Sequence, residues 1–169
     1  MDQIILTFPR SGSHYLRDLI SQKLGLKIPK SHEISDAKDK YVISIVRNPS
    51  DTIKSILTLY KHHSTTTYPK NLVKAYCDFY KFVINHADMV IDYDDLVDRT
   101  ELVIQKLSAV FDAEISLSEY TNQLFDIPER EHLVSSRTSK EYENVDMSEI
   151  DLSRANNYYL LALTKCIKL

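Results

Sequence analysis

Glycine is nearly absent from this chain: its 169 residues contain two, Gly12 and Gly25, and there is no tryptophan at all. Two glycines so far apart cannot build a three-glycine dinucleotide fingerprint. Nor can they build a triphosphate loop with four residues between its glycines and a Gly-Lys-Ser/Thr ending. Cysteine is equally scarce. Cys77 and Cys166 fall in segments with helical spacing and no metal-ligand pattern, which argues for reduced residues in an intracellular, cytoplasmic setting rather than a disulfide framework. No apolar run reaches the length of a membrane span. The opening, Asp2 followed by a short apolar segment, lacks the basic start and long apolar region of a secretory signal. No repeat, glycine-serine linker or low-complexity tract divides the chain, so a single domain over residues 1–169 is expected.

What is present fits a soluble globular domain, with 43% hydrophobic and 27% charged residues. The net charge of -3 hides an asymmetry: residues 1–70 carry 11 Lys/Arg against 6 Asp/Glu, and residues 71–169 carry 10 against 18. A basic first half suits a cleft for an anion, or two differently solvated faces.

Apolar runs at 3–8 ("QIILTF"), 41–46 ("YVISIV") and 88–92 ("DMVID") read as buried strands. Between and after them lie amphipathic helical patterns. The first runs from Ser13 to Leu24 and is stopped by Gly25. The second begins near Pro49 and carries Ile53, Ile56, Leu57 and Tyr60; the third opens at Pro69 and carries Leu72 to Ile84. A fourth covers about 99–112, a short one capped by Ser116 or Ser118 runs through Leu124, and a last one spans Leu152 to Ile167. Residues 62–68 and 127–150 read as loops, the latter long enough to be functional. Strands alternating with helices predict an α/β domain, a parallel sheet flanked by helices, with its ligand at the carboxyl ends of the strands.

The segment "FPRSGSHYL", Phe8 to Leu16, stands at one such end. Gly12 permits a tight turn or a close backbone approach, and Ser11, Ser13 and the amides entering the helix offer donors to an anion at a helix N-terminus. Arg10 adds a planar, permanently charged fork. On this stretch alone, a capped turn beside a solvated arginine reads equally well. A second segment, "YVISIVRNPSDTIKS", puts Arg47 directly after a strand and Ser55 eight residues later, inside the next helix.

Together the two segments resemble the PAPS-dependent sulfotransferase family, where PAPS is 3′-phosphoadenosine 5′-phosphosulfate. In that family a "Pro-Lys/Arg-Ser-Gly-Ser/Thr" turn holds the 5′-phosphosulfate. A later "Arg-Asn-Pro-x-Asp", with Ser eight residues after the Arg, holds the 3′-phosphate. Lys30-Ser31-His32 is similar to the family's "Lys-Ser/Thr-His", and Tyr93-Asp94-Asp95-Leu96 to its "Tyr-Glu-Asp-Leu", so the likeness covers roughly residues 4–111. It implies a compact member with a P-loop-containing nucleotide hydrolase/sulfotransferase fold.

The resemblance implies that Arg10 contacts the sulfuryl group, and that Ser11, Gly12, Ser13 and His14 cradle the 5′-phosphate. Tyr15 would replace the tryptophan that packs on adenine in relatives, with a plain core role as its competitor. Lys30 would help hold the sulfuryl oxygens or the leaving phosphate and His32 would act as general base, with Glu33 as the other carrier of that role; read alone, "KSHE" is a polar turn. Arg47 and Ser55 would grip the 3′-phosphate. Tyr93 would orient a loop or line the acceptor site. The family's late glycine-rich stretch has no counterpart, since no glycine follows Gly25; residues 135–145 stand in that position and offer Ser136 or Arg137. PAPS as donor, adenosine 3′,5′-bisphosphate as product and no metal are the implied ligands. The acceptor is a hydroxyl of a small molecule, lipid or saccharide, with no nucleic acid implied. The competing readings are a nucleotide or small-molecule kinase on a related fold, disfavoured by the missing Gly-Lys-Ser/Thr, and a catalytically weak nucleotide-binding protein. The aromatic stripe from Tyr76 to Phe82 has helical spacing and reads as core.

Overall fold

In the computed structural model, which describes residues 2–62, 71–117 and 145–167, four parallel strands form one sheet flanked by helices on both faces. Along the chain come β1 (Gln3–Leu6), α1 (Ser13–Leu24), β2 (Lys30–Ser31), β3 (Tyr41–Val46), α2 (Pro49–His62) and α3 (Leu72–His86). They are followed by β4 (Met89–Asp92), α4 (Tyr93–Asp98), α5 (Thr100–Phe111) and α6 (Ser153–Leu163). A short 3-10 turn, Ile34–Ala37, links β2 to β3.

The strands alternate their side chains between two cores, as the period of two demands. Ile4, Leu6, Val42, Val46 and Val90 face α3 and α6, whereas Ile5, Ile43, Ile45, Met89 and Ile91 face α1 and α5. Ile5, Ile43, Ile45 and Ile91 are fully buried, and each such side chain contributes about 1.5–3 kcal/mol over its exposed state. Both faces being covered explains why these strands read as continuous apolar runs.

Spatial order in the sheet is β2-β1-β3-β4, so the chain leaves β1 in one direction and β3 in the other. Right-handed crossovers then require α1 on one face and α2 with α3 on the opposite one, which is where the two cores place them. The reversal lies between the neighbouring strands β1 and β3, which pair Gln3 with Tyr41 and Ile5 with Ile43. The carboxyl ends of these two strands therefore mark the topological switch point, the usual ligand position in such a sheet.

Several boundaries differ from the sequence reading. β1 ends at Leu6, because Thr7 and Phe8 already lead into the turn. The Lys30-Ser31 pair is a strand rather than a turn: the amide of Ile5 donates to the Pro29 carbonyl and that of Thr7 to the Ser31 carbonyl. α6 stops at Leu163, and Cys166 then pairs with Val90 of β4. Pro69, the proposed short helix beyond Leu117, and the 127–150 loop up to residue 144 lie outside the described residues. Among the described residues, no helix is long and apolar enough to cross a membrane.

Candidate functional site at the carboxyl ends of β1 and β3

The turn after β1 is built around two left-handed residues, Arg10 at φ 66° and Gly12 at φ 93°. Only glycine adopts that region freely, so the position of Gly12 follows from the backbone. Space enforces it as well: a Cβ on Gly12 would lie 2.9 Å from Cε2 of Tyr93 and 3.1 Å from its Cδ2. The expected close approach at Gly12 is thus made by a tyrosine ring of the protein itself.

Gly12 caps α1 without any side-chain hydrogen bond. The first bond of that helix runs from the Leu16 amide to the Gly12 carbonyl, so the amides before it stand outside the helical ladder. α2 is finished differently. Asn48 accepts from the amide of Ser50 at 2.9 Å and more weakly from that of Asp51, and Pro49 occupies the first helical position. Of the three helices that begin at this edge, α1, α2 and α4, α1 is the one without a side-chain cap, and its end carries a positive dipole.

Arg47 follows β3 and is 4% exposed. Its Nη1 donates to the Arg10 carbonyl at 2.6 Å, and its guanidinium carbon lies 4.4 Å from the centre of the Tyr93 ring. Among the described residues, its Nε and Nη2 have no hydrogen-bond partner. These two nitrogens form one edge of the guanidinium, the pair of donors that meets two oxygens of one carboxylate or phosphate side by side. A buried, unsatisfied fork is costly to the protein, and its two donors have the geometry to meet an anion.

Arg10 lies near enough to feel the charge of Arg47. Its Nε donates to Ser55 Oγ of α2 at 2.9 Å. Burial, and secondly the charge of Arg47, hold the Arg10 guanidinium below its ordinary pKa, with Tyr93 opposing them. Two arginines that repel one another are thus held together by the fold, and an anion beside them would offset both the burial and the repulsion. Arg10, Arg47 and Ser55, far apart in sequence, form one cluster.

The backbone of the cluster is tied to α3 by two tyrosines. Tyr76 donates to the Arg47 carbonyl at 2.7 Å and Tyr80 to the Ile45 carbonyl at 2.9 Å. Since the Tyr80 proton is spent there, the contact of 3.4 Å between Tyr80 and Ser11 has the serine as donor. The Ser11 hydroxyl therefore turns into the core, not toward an anion. Burial pushes both phenols well above their ordinary pKa, so both stay protonated donors. Periodicity marked this pair as core. The overlooked signal is tyrosine in place of phenylalanine, because a buried hydroxyl needs a partner.

The remaining expected residues fall at varied distances from the cluster. Ser13 and His14 occupy the first turn of α1. Tyr15 joins α1 to α5 through a bond of 3.1 Å between its hydroxyl and that of Thr100. Lys30 is half-buried in β2, in register with Ile5. His32 is exposed just past β2, and its Nδ1 donates to the Thr7 carbonyl at 2.7 Å. That tautomer leaves Nε2 as an acceptor, the form a general base requires. Glu33 is exposed, its amide held by Ser31 Oγ. Ser136 and Arg137 lie outside the described residues. Among the described residues, no group of three or more His, Cys, Asp or Glu side chains is placed to hold a metal ion. The chain matches no protein-family model and no curated protein.

Proposed function

We propose that this chain is a sulfotransferase that moves a sulfuryl group from PAPS to an acceptor hydroxyl and releases adenosine 3′,5′-bisphosphate. The observation that carries the proposal is the Nε–Nη2 edge of buried Arg47, unpartnered among the described residues, set beside Arg10 and the side-chain-uncapped start of α1. Two anion-binding elements at one switch point suit a nucleotide bearing phosphates at both ends of its ribose. The strand order and the turn-to-helix entry after β1 support the P-loop nucleotide hydrolase/sulfotransferase type of sheet.

In this reading the 5′-phosphate lies at the turn of residues 10–15 and the 3′-phosphate at Arg47 and Ser55. The acceptor oxygen bonds to sulfur as the bond from sulfur to the bridging phosphate oxygen breaks. His32 Nε2 takes the acceptor proton, and Arg10 and Lys30 offset charge gathering on the leaving phosphate. Such transfer depends on positioning and fixed electrostatics.

Calorimetry comparing adenosine 3′,5′-bisphosphate with adenosine 5′-phosphate tests the donor site. At least about tenfold tighter binding of the bisphosphate, equivalent to ~1.4 kcal/mol, is expected; equal or absent binding overturns the assignment. Transfer from radiolabelled PAPS to a panel of hydroxyl acceptors should fall strongly in H32A, and unchanged turnover would move the base role to Glu33. One observation favours a second reading, nucleotide binding with little turnover: no glycine follows Gly25, so the family's late glycine-rich stretch has no counterpart to complete the donor site. Bisphosphate binding without transfer to any acceptor would select it.

A further inference from the structure

Two polar contacts among the described residues bear on the direction of the open edge of Arg47. One is the bond from Nη1 to the Arg10 carbonyl, and a single hydrogen bond leaves a planar group free to tilt about it. The other is the face of Tyr93, 4.4 Å from the guanidinium carbon. A cation held over an aromatic face is attracted to it, and the attraction grows as water is excluded.

Tyr93 is itself held in place. It is the first residue of α4, directly after β4, and α4 is capped by Asp92 and anchored by fully buried Leu96. On its edge the ring meets Gly12 so closely that no side chain fits between them. The ring thus spans both halves of the anion site: its edge defines the space at the turn before α1, and its face carries Arg47.

We infer that Tyr93 is a positioning residue for the anion site, its ring serving as the platform that aims the Nε–Nη2 edge of Arg47 at one phosphate group. This rests on the proposed reading for the identity of the ligand, and on geometry alone for the platform. The hydroxyl of Tyr93 has no part in it, so a phenylalanine ring suffices. An aliphatic side chain keeps the packing against Gly12 but removes the attractive face. Gly12 acquires a second duty, since it admits the ring as well as the left-handed turn.

The test is calorimetric titration of the wild type, Y93F, Y93L and R47A with adenosine 3′,5′-bisphosphate, adenosine 5′-phosphate and inorganic pyrophosphate. Y93F should stay within about twofold of the wild type for every ligand. Y93L should lose about tenfold for the bisphosphate and little for the monophosphate, collapsing the preference for the 3′-phosphate. A general loss of packing would weaken both nucleotides together. If the wild type does not distinguish the nucleotides, the donor reading fails and pyrophosphate decides the inference. Y93L and R47A should then both weaken it about tenfold, with Y93F unaffected. The inference is overturned if folded Y93L binds as the wild type does, or if no ligand binds at all. Should Y93L fail to fold, the Arg47 Nε proton resonance decides: a ring-current shift in the wild type and Y93F supports the platform, and an ordinary arginine position overturns it.

Discussion

Arg47 and Arg10 are joined side chain to main chain: Nη1 of Arg47 donates to the Arg10 carbonyl at 2.6 Å, although both side chains carry positive charge. The left-handed backbone of Arg10, at φ 66°, belongs to the turn that presents this carbonyl. One guanidinium can hold the carbonyl with one nitrogen and offer a two-donor edge to a ligand; an ammonium cannot keep both in that geometry. R47K should therefore fold but bind adenosine 3′,5′-bisphosphate at least about tenfold more weakly, a loss of ~1.4 kcal/mol by calorimetry. Wild-type affinity in R47K would show that charge alone suffices there.

Gly12→Ala adds a Cβ in a left-handed residue and drives it to 2.9 Å from the Tyr93 ring. Backbone strain and overpacking each cost about 1–3 kcal/mol. Thermal unfolding should shift down by several degrees, with ligand binding lost as well. G25A is the contrasting variant: Gly25 is also left-handed, but a Cβ there meets nothing within 4 Å. It should lose stability through strain alone and keep the anion site. Equal effects of the two variants on binding would remove the packing argument.

Tyr76→Phe and Tyr80→Phe delete one hydroxyl each from a buried helix face and leave the rings. The lost bonds to the Arg47 and Ile45 carbonyls should each cost about 1–2 kcal/mol in denaturant unfolding. Because Tyr76 holds the Arg47 backbone, Y76F should also weaken bisphosphate binding. Y80F frees the Ser11 hydroxyl and should alter the turn before α1. Stability and binding both unchanged in Y76F would refute the tie.

Asp92 caps α4 yet carries a raised pKa, chiefly through burial, with Asp94 and Asp95 adding to it and the Asp94 amide opposing. A raised folded pKa means the folded state binds the extra proton, so stability falls as pH rises through that value and stays lower above it. Asn caps a helix as well as Asp does. D92N should therefore unfold at a higher temperature than the wild type at pH 7. The gain should vanish below about pH 4, where the unfolded carboxyl is protonated too. A D92N protein less stable at pH 7 would mean that charge at the cap outweighs its burial.

The elements legible in the sequence are those whose causes lie within a few residues. The continuous apolar run at 41–46 marks β3, Pro49 marks the start of α2, and Gly25 ends α1. β2 escaped notice because two residues, one a lysine, carry no period; the pairing with β1 makes them a strand. Arg10 and Arg47 were legible as candidates because residues at the carboxyl ends of parallel strands share one edge, and Ser55 only through the family resemblance. Their mutual bonds were not.

The sequence by itself determined an α/β chain, its turn at Gly12 and the charges at its strand ends, since spacing, caps and glycine act locally. The tertiary structure decided the partners. Ser11 turns to Tyr80, Arg10 to Ser55, and Tyr93 lies between Gly12 and Arg47. Those choices depend on which layers pack against the sheet and in what register. Side chains dozens of residues apart meet only once the cores on both faces have closed.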